Sequence, residues 1–242
     1  GKKMAKLIHA DFYKTFHRVY FYILVAGLAA LCFLMNYAMR GGMLGNMSSS
    51  VQFAVMLLEY PVIILPMVTQ IVFSEEFQFH TLKNTASYGT NRTLLFTAKL
   101  ITSILLCMIL AAVVLAAYFG SMFIFLKHDA EFTSGLLNNF FMRLGVSCAI
   151  YAACITMSAF FTVLFRRNGL AIFFYYGVFY LMQYFLVLLH LEKFEPYLLE
   201  AQFAVIRKPS VTSFQKPLMV SAVTALVFFI AGAVAFRKKD LC

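Results

Sequence analysis

The chain offers ten acidic side chains, five histidines and five cysteines for acid–base, metal or redox chemistry. The densest group is Glu75-Glu76 with His80. A carboxylate pair near a His invites the idea of a metal-dependent intramembrane protease. A metal, however, needs several His, Cys or carboxylate ligands converging on it. His9, His17 and His128 flank apolar runs, His190 ends one, and no second spaced motif accompanies them. No G-x-S-x-G is present to support a serine mechanism. Cys32, Cys107, Cys148, Cys154 and Cys242 lack metal or redox spacing, and the first four lie in apolar runs, where Cys behaves as a small hydrophobe. None of the twelve glycines belongs to a G-x-x-x-x-G-K-[ST] phosphate loop. No catalytic residue and no metal site is therefore assigned, and the chain reads as a non-enzyme.

A second group of polar residues is notable for where it lies. Glu59 is the one acid inside an apolar run, VMLLEYPVIILP. A charge at mid-bilayer costs about 3 kcal/mol on insertion scales, and less near the surface. Glu59 either faces a pore or dimer interface, or is a structural acid paired with Arg40 or Arg143. Pro61 and Pro66 come after it and predict a kink. Asn36, Gln70, Gln183 and His190 are the other polar groups in apolar runs, and should face protein or water rather than lipid.

The elements that hold these groups are set by composition. Of 242 residues, 62% are hydrophobic and 12% charged, against about 45–50% apolar in a soluble domain. A soluble surface could not be covered, so the chain reads as an all-α integral membrane protein. Its net charge of +10 fits loops facing anionic lipid, with no nucleic-acid partner. A span needs about 20 apolar residues, and six stretches qualify: 20–39, 53–73, 100–126, 141–165, 170–190 and 218–236. The first is span-length with no small-residue cleavage site after it, so no signal peptide is expected. No repeat or soluble domain interrupts the chain, which reads as one transmembrane domain over 1–242.

Placing the N-terminus inside puts thirteen of the twenty Lys and Arg residues on the inner side, Lys83, Arg92 and Lys99 among them, and seven on the outer. Six spans then return a basic C-terminus to the same face, and N-in, C-in is the expected orientation. The outer loops, about 40–52, 127–140 and 191–217, are short. The last contains EPYLLEAQFAVIRKP, an apolar-periodic stretch between two prolines that predicts a short surface helix.

Three local patterns stand out. Residues 5–19 place Ile8, Phe12, Phe16 and Val19 on one face of a basic helix, the pattern of an interfacial helix. Ala231, Gly232 and Ala235 form a small-residue patch suited to close helix packing. Between spans two and three, residues 74–90 turn polar. Ser74 can cap a helix whose first turn holds Glu75 and Glu76. Phe79, Leu82 and Ala86 form a narrow apolar stripe, Gly89 stops the helix, and Asn91 caps the next one. So short a helix cannot fold alone and must bury its stripe on something. An ordinary ordered loop is the plainer reading.

This segment resembles the coupling region of type-2 ABC transporter permeases from Gram-positive bacteria, the group that exports or confers immunity to lantibiotic- and bacitracin-type peptides and drugs. The likeness lies in Glu75-Glu76-Phe77, Thr81-Leu82-Lys83, Tyr88-Gly89, Arg92 and Lys99, with His80 where a Gly often precedes the Thr. LIHADFYKTFHRVYFYIL (7–24) is similar to the family's opening, and the six-span pattern covers the chain. The resemblance implies a transmembrane half-transporter in the bacterial cytoplasmic membrane. It would pair with a second permease subunit, of the same or another chain, above two ATPase subunits that bind ATP and Mg. The 74–90 helix would dock on the ATPase through Glu75, Glu76, Phe79, Thr81, Leu82, Lys83 and Arg92. Spans two and five would line the path, making Glu59, Gln70 and Gln183 its candidates. The substrate would be an amphipathic peptide, a drug or a lipid. A channel or secondary transporter is the competing class, although such proteins usually show repeats or more intramembrane charge.

Overall fold

A computed structural model of the chain describes residues 2–42, 45–78, 91–165, 167–211 and 213–238. All its regular elements are helical, as an apolar surround demands: only a helix satisfies its backbone within one segment. The helices are α1 (Lys2–Phe16), α2 (Val19–Met39), α3 (Met47–Leu57), α4 (Leu65–Gln78), α5 (Arg92–Phe125), α6 (Ser134–Phe165), α7 (Asn168–Tyr176), α8 (Met182–Leu188), α9 (Leu199–Arg207) and α10 (Gln215–Lys238). Five stretches are long and apolar enough to cross a membrane: Phe21–Met39, Arg92–Phe125, Ser134–Phe165, Gly169–Leu188 and Gln215–Lys238. A sixth is bent by 40° between Met47–Leu57 and Tyr60–Phe73.

The helices outrun the apolar stretches because polar caps, not the end of hydrophobicity, terminate them. Asn91 Oδ1 accepts from the Thr93 amide at 3.0 Å, the expected cap, so α5 starts at Arg92, ahead of the apolar stretch at 100. Thr133 Oγ1 accepts from the Leu136 amide at 3.3 Å, so α6 starts at Ser134 rather than 141. Helix α3 begins at Met47, inside the expected loop 40–52. At the other end of the bent pair, α4 runs through Ser74 to Gln78 without a break, so Ser74 does not open a new helix. Residues 79–90, with Phe79, Thr81, Leu82 and Lys83, lie outside the described residues.

The bend is where proline chemistry places it. Pro66 cannot donate to the carbonyl four residues back, that of Val62. The backbone between α3 and α4 tightens into a 3-10 turn, Tyr60–Ile63. There the Val62 amide donates to Glu59 O and the Met67 amide to Ile64 O, which frees the carbonyls of Leu58 and Ile63 as well. Three tyrosines supply the missing donors. Tyr151 on α6 donates to Leu58 O, Tyr175 on α7 to Val62 O at 3.0 Å, and Tyr176 to Ile63 O. A turn of π-helix, Gly177–Leu181, comes directly after that tyrosine pair and joins α7 to α8. The fifth span closes earlier than 190: Leu191 N donates to Leu186 O and His190 N to Val187 O, with His190 at φ 55° as an exposed left-handed cap.

Helix α6 is the hub, packed by α10, α4, α7, α3 and α9, while α2 and α1 lie on α5. Hydroxyls along the spans mostly bond backward onto their own helix, as Thr102 does to Ala98 O and Thr162 to Ser158 O, so they can face apolar neighbours. Asn36 is fully buried: it donates to Tyr118 O and Ser121 Oγ, and accepts from Ser50 Oγ, joining α2, α3 and α5. In the small-residue patch Gly232 is the working member. A Cβ built there would lie 2.6 Å from Phe96 Cζ, and the Phe96 ring meets Phe73, Phe229 and Phe236.

These contacts set two stability expectations. Tyr175→Phe strands the Val62 carbonyl in an apolar site and should cost about 1 kcal/mol in an SDS-titration unfolding assay. Tyr184→Phe, at a well-exposed phenol of α8, should leave the curve unmoved. Gly232→Ala should cost about 1–3 kcal/mol by overpacking. The same change measured in a Phe96→Leu background should cost clearly less, and equal costs in both backgrounds would refute the ring-on-glycine contact.

Candidate functional site

The chain alternates between two ends of the bundle. One carries α1, the end of α4, the start of α5 and the end of α10. The other carries residues 40–42, 45–46, 126–133, 189–211 and 213–214. Each end gathers polar groups that the sequence scatters.

At the α1 end the centre is Lys99. Cations near a span normally stay in water, and on that basis Lys99 belongs to the loop before span three. Because α5 starts at Arg92, Lys99 is instead two turns inside the helix and only 2% exposed. Its Nζ donates to Val72 O of α4 at 3.0 Å and lies 3.5 Å from Asp11 Oδ1 of α1. Asp11 is itself buried, as is Thr15 one turn on, whose hydroxyl bonds to Asp11 O at 2.9 Å. Leu7, Phe12 and Phe16 of the same helix pack against the hydrophobic core. Of the face expected to meet lipid through Ile8, Phe12, Phe16 and Val19, α1 turns Phe12 and Phe16 toward the protein, while Val19 lies past its end, opens α2 and is 73% exposed.

Above Lys99 the same helices are locked by rings. Phe73 and Phe96 are fully buried with centroids 5.8 Å apart, and Phe96 meets Phe236 of α10 at 5.8 Å. Arg92 reaches across to donate to Arg237 O at 3.0 Å. The helices on either side of residues 79–90 are thus joined to each other, to α1 and to α10. Of the expected docking residues, Arg92 is the one whose side-chain contacts are described, while Glu75 and Glu76 are placed by backbone alone, in the last turn of α4.

At the far end, Glu59 pairs with Arg207 of α9 at 2.9 Å, not with Arg40 or Arg143. Arg143, 3% exposed, instead gathers the carbonyls at the close of α9 and just past it. It donates to Ile206 O, to Lys208 O at 3.0 Å and to Pro209 O at 3.4 Å, with Asn139 Oδ1 accepting from its Nε at 2.7 Å. A cation there complements the negative end of the helix. Helix α9 matches the expected surface helix and buries Leu199, Gln202, Phe203 and Ile206. Burial, then the charge of Glu59, hold the Glu200 carboxyl above its ordinary range. At the same end the start of α3 is clasped to the 126–133 loop: Met47 N donates to Lys127 O, Lys127 N to Gly45 O, and Ser48 N and Oγ both to Asp129. Those Ser48 bonds hold the Asp129 carboxyl below its ordinary range.

The three path candidates are spread along the bundle. Glu59 is at the far lip of the bend. Gln70 is buried on α4 eleven residues further along, roughly 16 Å at helical rise. Gln183 is half-buried at the start of α8, its amide 3.4 Å from Tyr180 O. Sequence reasoning missed Asp11 altogether. A signal existed: Asp11 is the only acid before Glu59, and lies four residues from both Leu7 and Thr15 on the inward face.

No curated protein matches the chain in sequence. Residues 7–184, most of its length, match the family described as ABC-2 family transporter protein. That match, on a bundle of five long apolar helices and a bent sixth, identifies the chain as a member of the ABC-2 transporter family, a permease that forms the membrane part of an ABC transporter.

Proposed function

We propose that this permease is the transmembrane half of an ATP-driven exporter, with its α1 end in the bacterial cytoplasm, and that residues 74–90 form the docking helix for a partner ATPase. The observation that supports this most is the joint at Lys99. The helices entering and leaving residues 79–90 are tied to each other and to α1 by Lys99, Val72 and Asp11, and by the Phe73–Phe96 contact. A push on the segment would therefore move α1, α4 and α5 together instead of bending one loop. Glu75, Glu76, Phe79, Thr81, Leu82, Lys83 and Arg92 provide the docking surface, an apolar stripe between acidic and basic ends.

In this reading two permease chains, identical or not, enclose the path over two ATPase subunits that bind ATP and Mg. Glu59, Gln70 and Gln183 line the path, and the bend in span two, with its tyrosine-held carbonyls, is the part of the wall that can reshape. The cargo is an amphipathic peptide, drug or lipid, which fits adaptable Met and aromatic surfaces.

Purification of the chain from its native membranes in mild detergent should bring down a stoichiometric protein with a phosphate loop. Recovery of the chain alone across several detergents, with no ATPase crosslinking to residues 75–86, would instead favour a channel or secondary transporter. In the assembled complex, Glu75→Lys/Glu76→Lys/Leu82→Asp should leave insertion and yield intact while ATP hydrolysis no longer drives export.

A further inference from the structure

The ion pair at the α1 end has a feature that docking alone does not require. A surface helix can be held on a membrane protein by apolar contact, and Leu7, Phe12 and Phe16 already provide that for α1. Yet Asp11 and Lys99 are both taken out of water, at 8% and 2% exposure. Burying two charges carries a desolvation penalty that often matches or exceeds their attraction, so a buried pair is weak evidence for stability alone. What such a pair does add is direction. Ring packing tolerates sliding, whereas a cation shared between a carboxylate and a carbonyl fixes both the rotation and the register of the helices that present them. Here the carboxylate is on α1, the carbonyl on α4 and the cation on α5.

We infer that Lys99 is a positioning residue that fixes α1 to both helices flanking residues 79–90, so that the surface helix and the docking segment move as one body. The inference rests on the proposed docking role for its use in coupling, but the tie itself can be tested without any ATPase. Removing the Lys99 cation leaves Asp11 buried without it and the Val72 carbonyl of α4 without the bond from α5. Thr15 lies on the same inward face, so α1 should loosen along its length, while α6 and the far-end clasp, each held by bonds of its own, should stay as they are.

The test uses the full chain in lipid nanodiscs, with and without the ATPase it captures. Amide hydrogen exchange across residues 5–16 should rise about a hundredfold in Lys99→Met, a change expected when one partner of a buried pair is lost. Exchange across residues 145–160 should not change. Lys99→Arg, which keeps the charge and its donors, should restore protection to within a few-fold. Asp11→Asn/Lys99→Met removes both charges and guards against simple misfolding. It should insert at wild-type yield, yet still show faster exchange in α1 and several-fold less transport per ATP hydrolysed. Wild-type protection of α1 in both Lys99→Met and the double variant would overturn the tie. Loosened α1 with unchanged transport per ATP would reduce the pair to a structural contact and overturn the positioning role. A wild-type chain that captures no ATPase would defeat the docking reading instead, a result the exchange measurement cannot produce.

Discussion

A backbone carbonyl that loses its helical amide inside an apolar slab has to find another donor, and much of this bundle is arranged around that requirement. The bend between α3 and α4 frees the carbonyls of Leu58, Val62 and Ile63, and each receives a phenol hydroxyl from α6 or α7. In water the same break could have been left to solvent. In an apolar surround it dictates which helices must neighbour the second span, and with which face. Tyr175 is fully buried for this reason, and Tyr151 nearly so. The π-turn Gly177–Leu181 lies directly after Tyr175 and Tyr176. A segment whose hydrogen bonds already run through side chains can exchange partners more readily than an unbroken helix, because each bond is released singly.

The same requirement shapes the two ends differently. At the far end the donors are cations and amides on backbone carbonyls: Arg143 on the close of α9, and Met47 and Lys127 on each other's loops. At the α1 end the helices meet through rings around Phe96 and through the cation of Lys99. Gly232 allows the ring of Phe96 to reach α10, so the glycine and the lysine serve one joint from opposite sides.

The six apolar stretches are legible directly, since a run of about 20 apolar residues has few other uses. The bend is equally legible in Pro61 and Pro66, because a missing amide acts locally. The tyrosines that answer it are not, since proline chemistry states what is lost and says nothing about which distant side chain replaces it. The cap at Asn91 is legible in the sequence and opens α5 as expected, whereas α6 departs from the reading because Thr133 caps it well before the apolar run. Lys99 reads as a loop cation because counting Lys and Arg treats every cation beside a span as hydrated. The partner that makes its burial tolerable, Asp11, comes from a helix far away in sequence. Glu59 shows the same limit. Its need for a cation is visible, and Arg40 and Arg143 are the nearer choices, but Arg143 is already committed to the carbonyls that end α9 and the pairing falls to Arg207.

The contrast between the ends bears on where movement can begin. Displacing α9 or the loops beside it means breaking several directional bonds together, those of Arg143 and Arg207 and of Asp129 with Ser48. Displacing α1 with the adjoining ends of α4 and α5 means sliding rings past one another and releasing the Arg92 bond to Arg237 O, while the Lys99 contact moves with them. Non-directional packing yields to a small force, and a set of oriented hydrogen bonds yields only when all are lost. Under the proposed docking role, this order of compliance places the softer end where the push would be received. The bend in span two lies between the two ends, with Glu59 at its far lip and Gln70 toward α1, so its tyrosine-held carbonyls separate the ring-packed end from the hydrogen-bonded one.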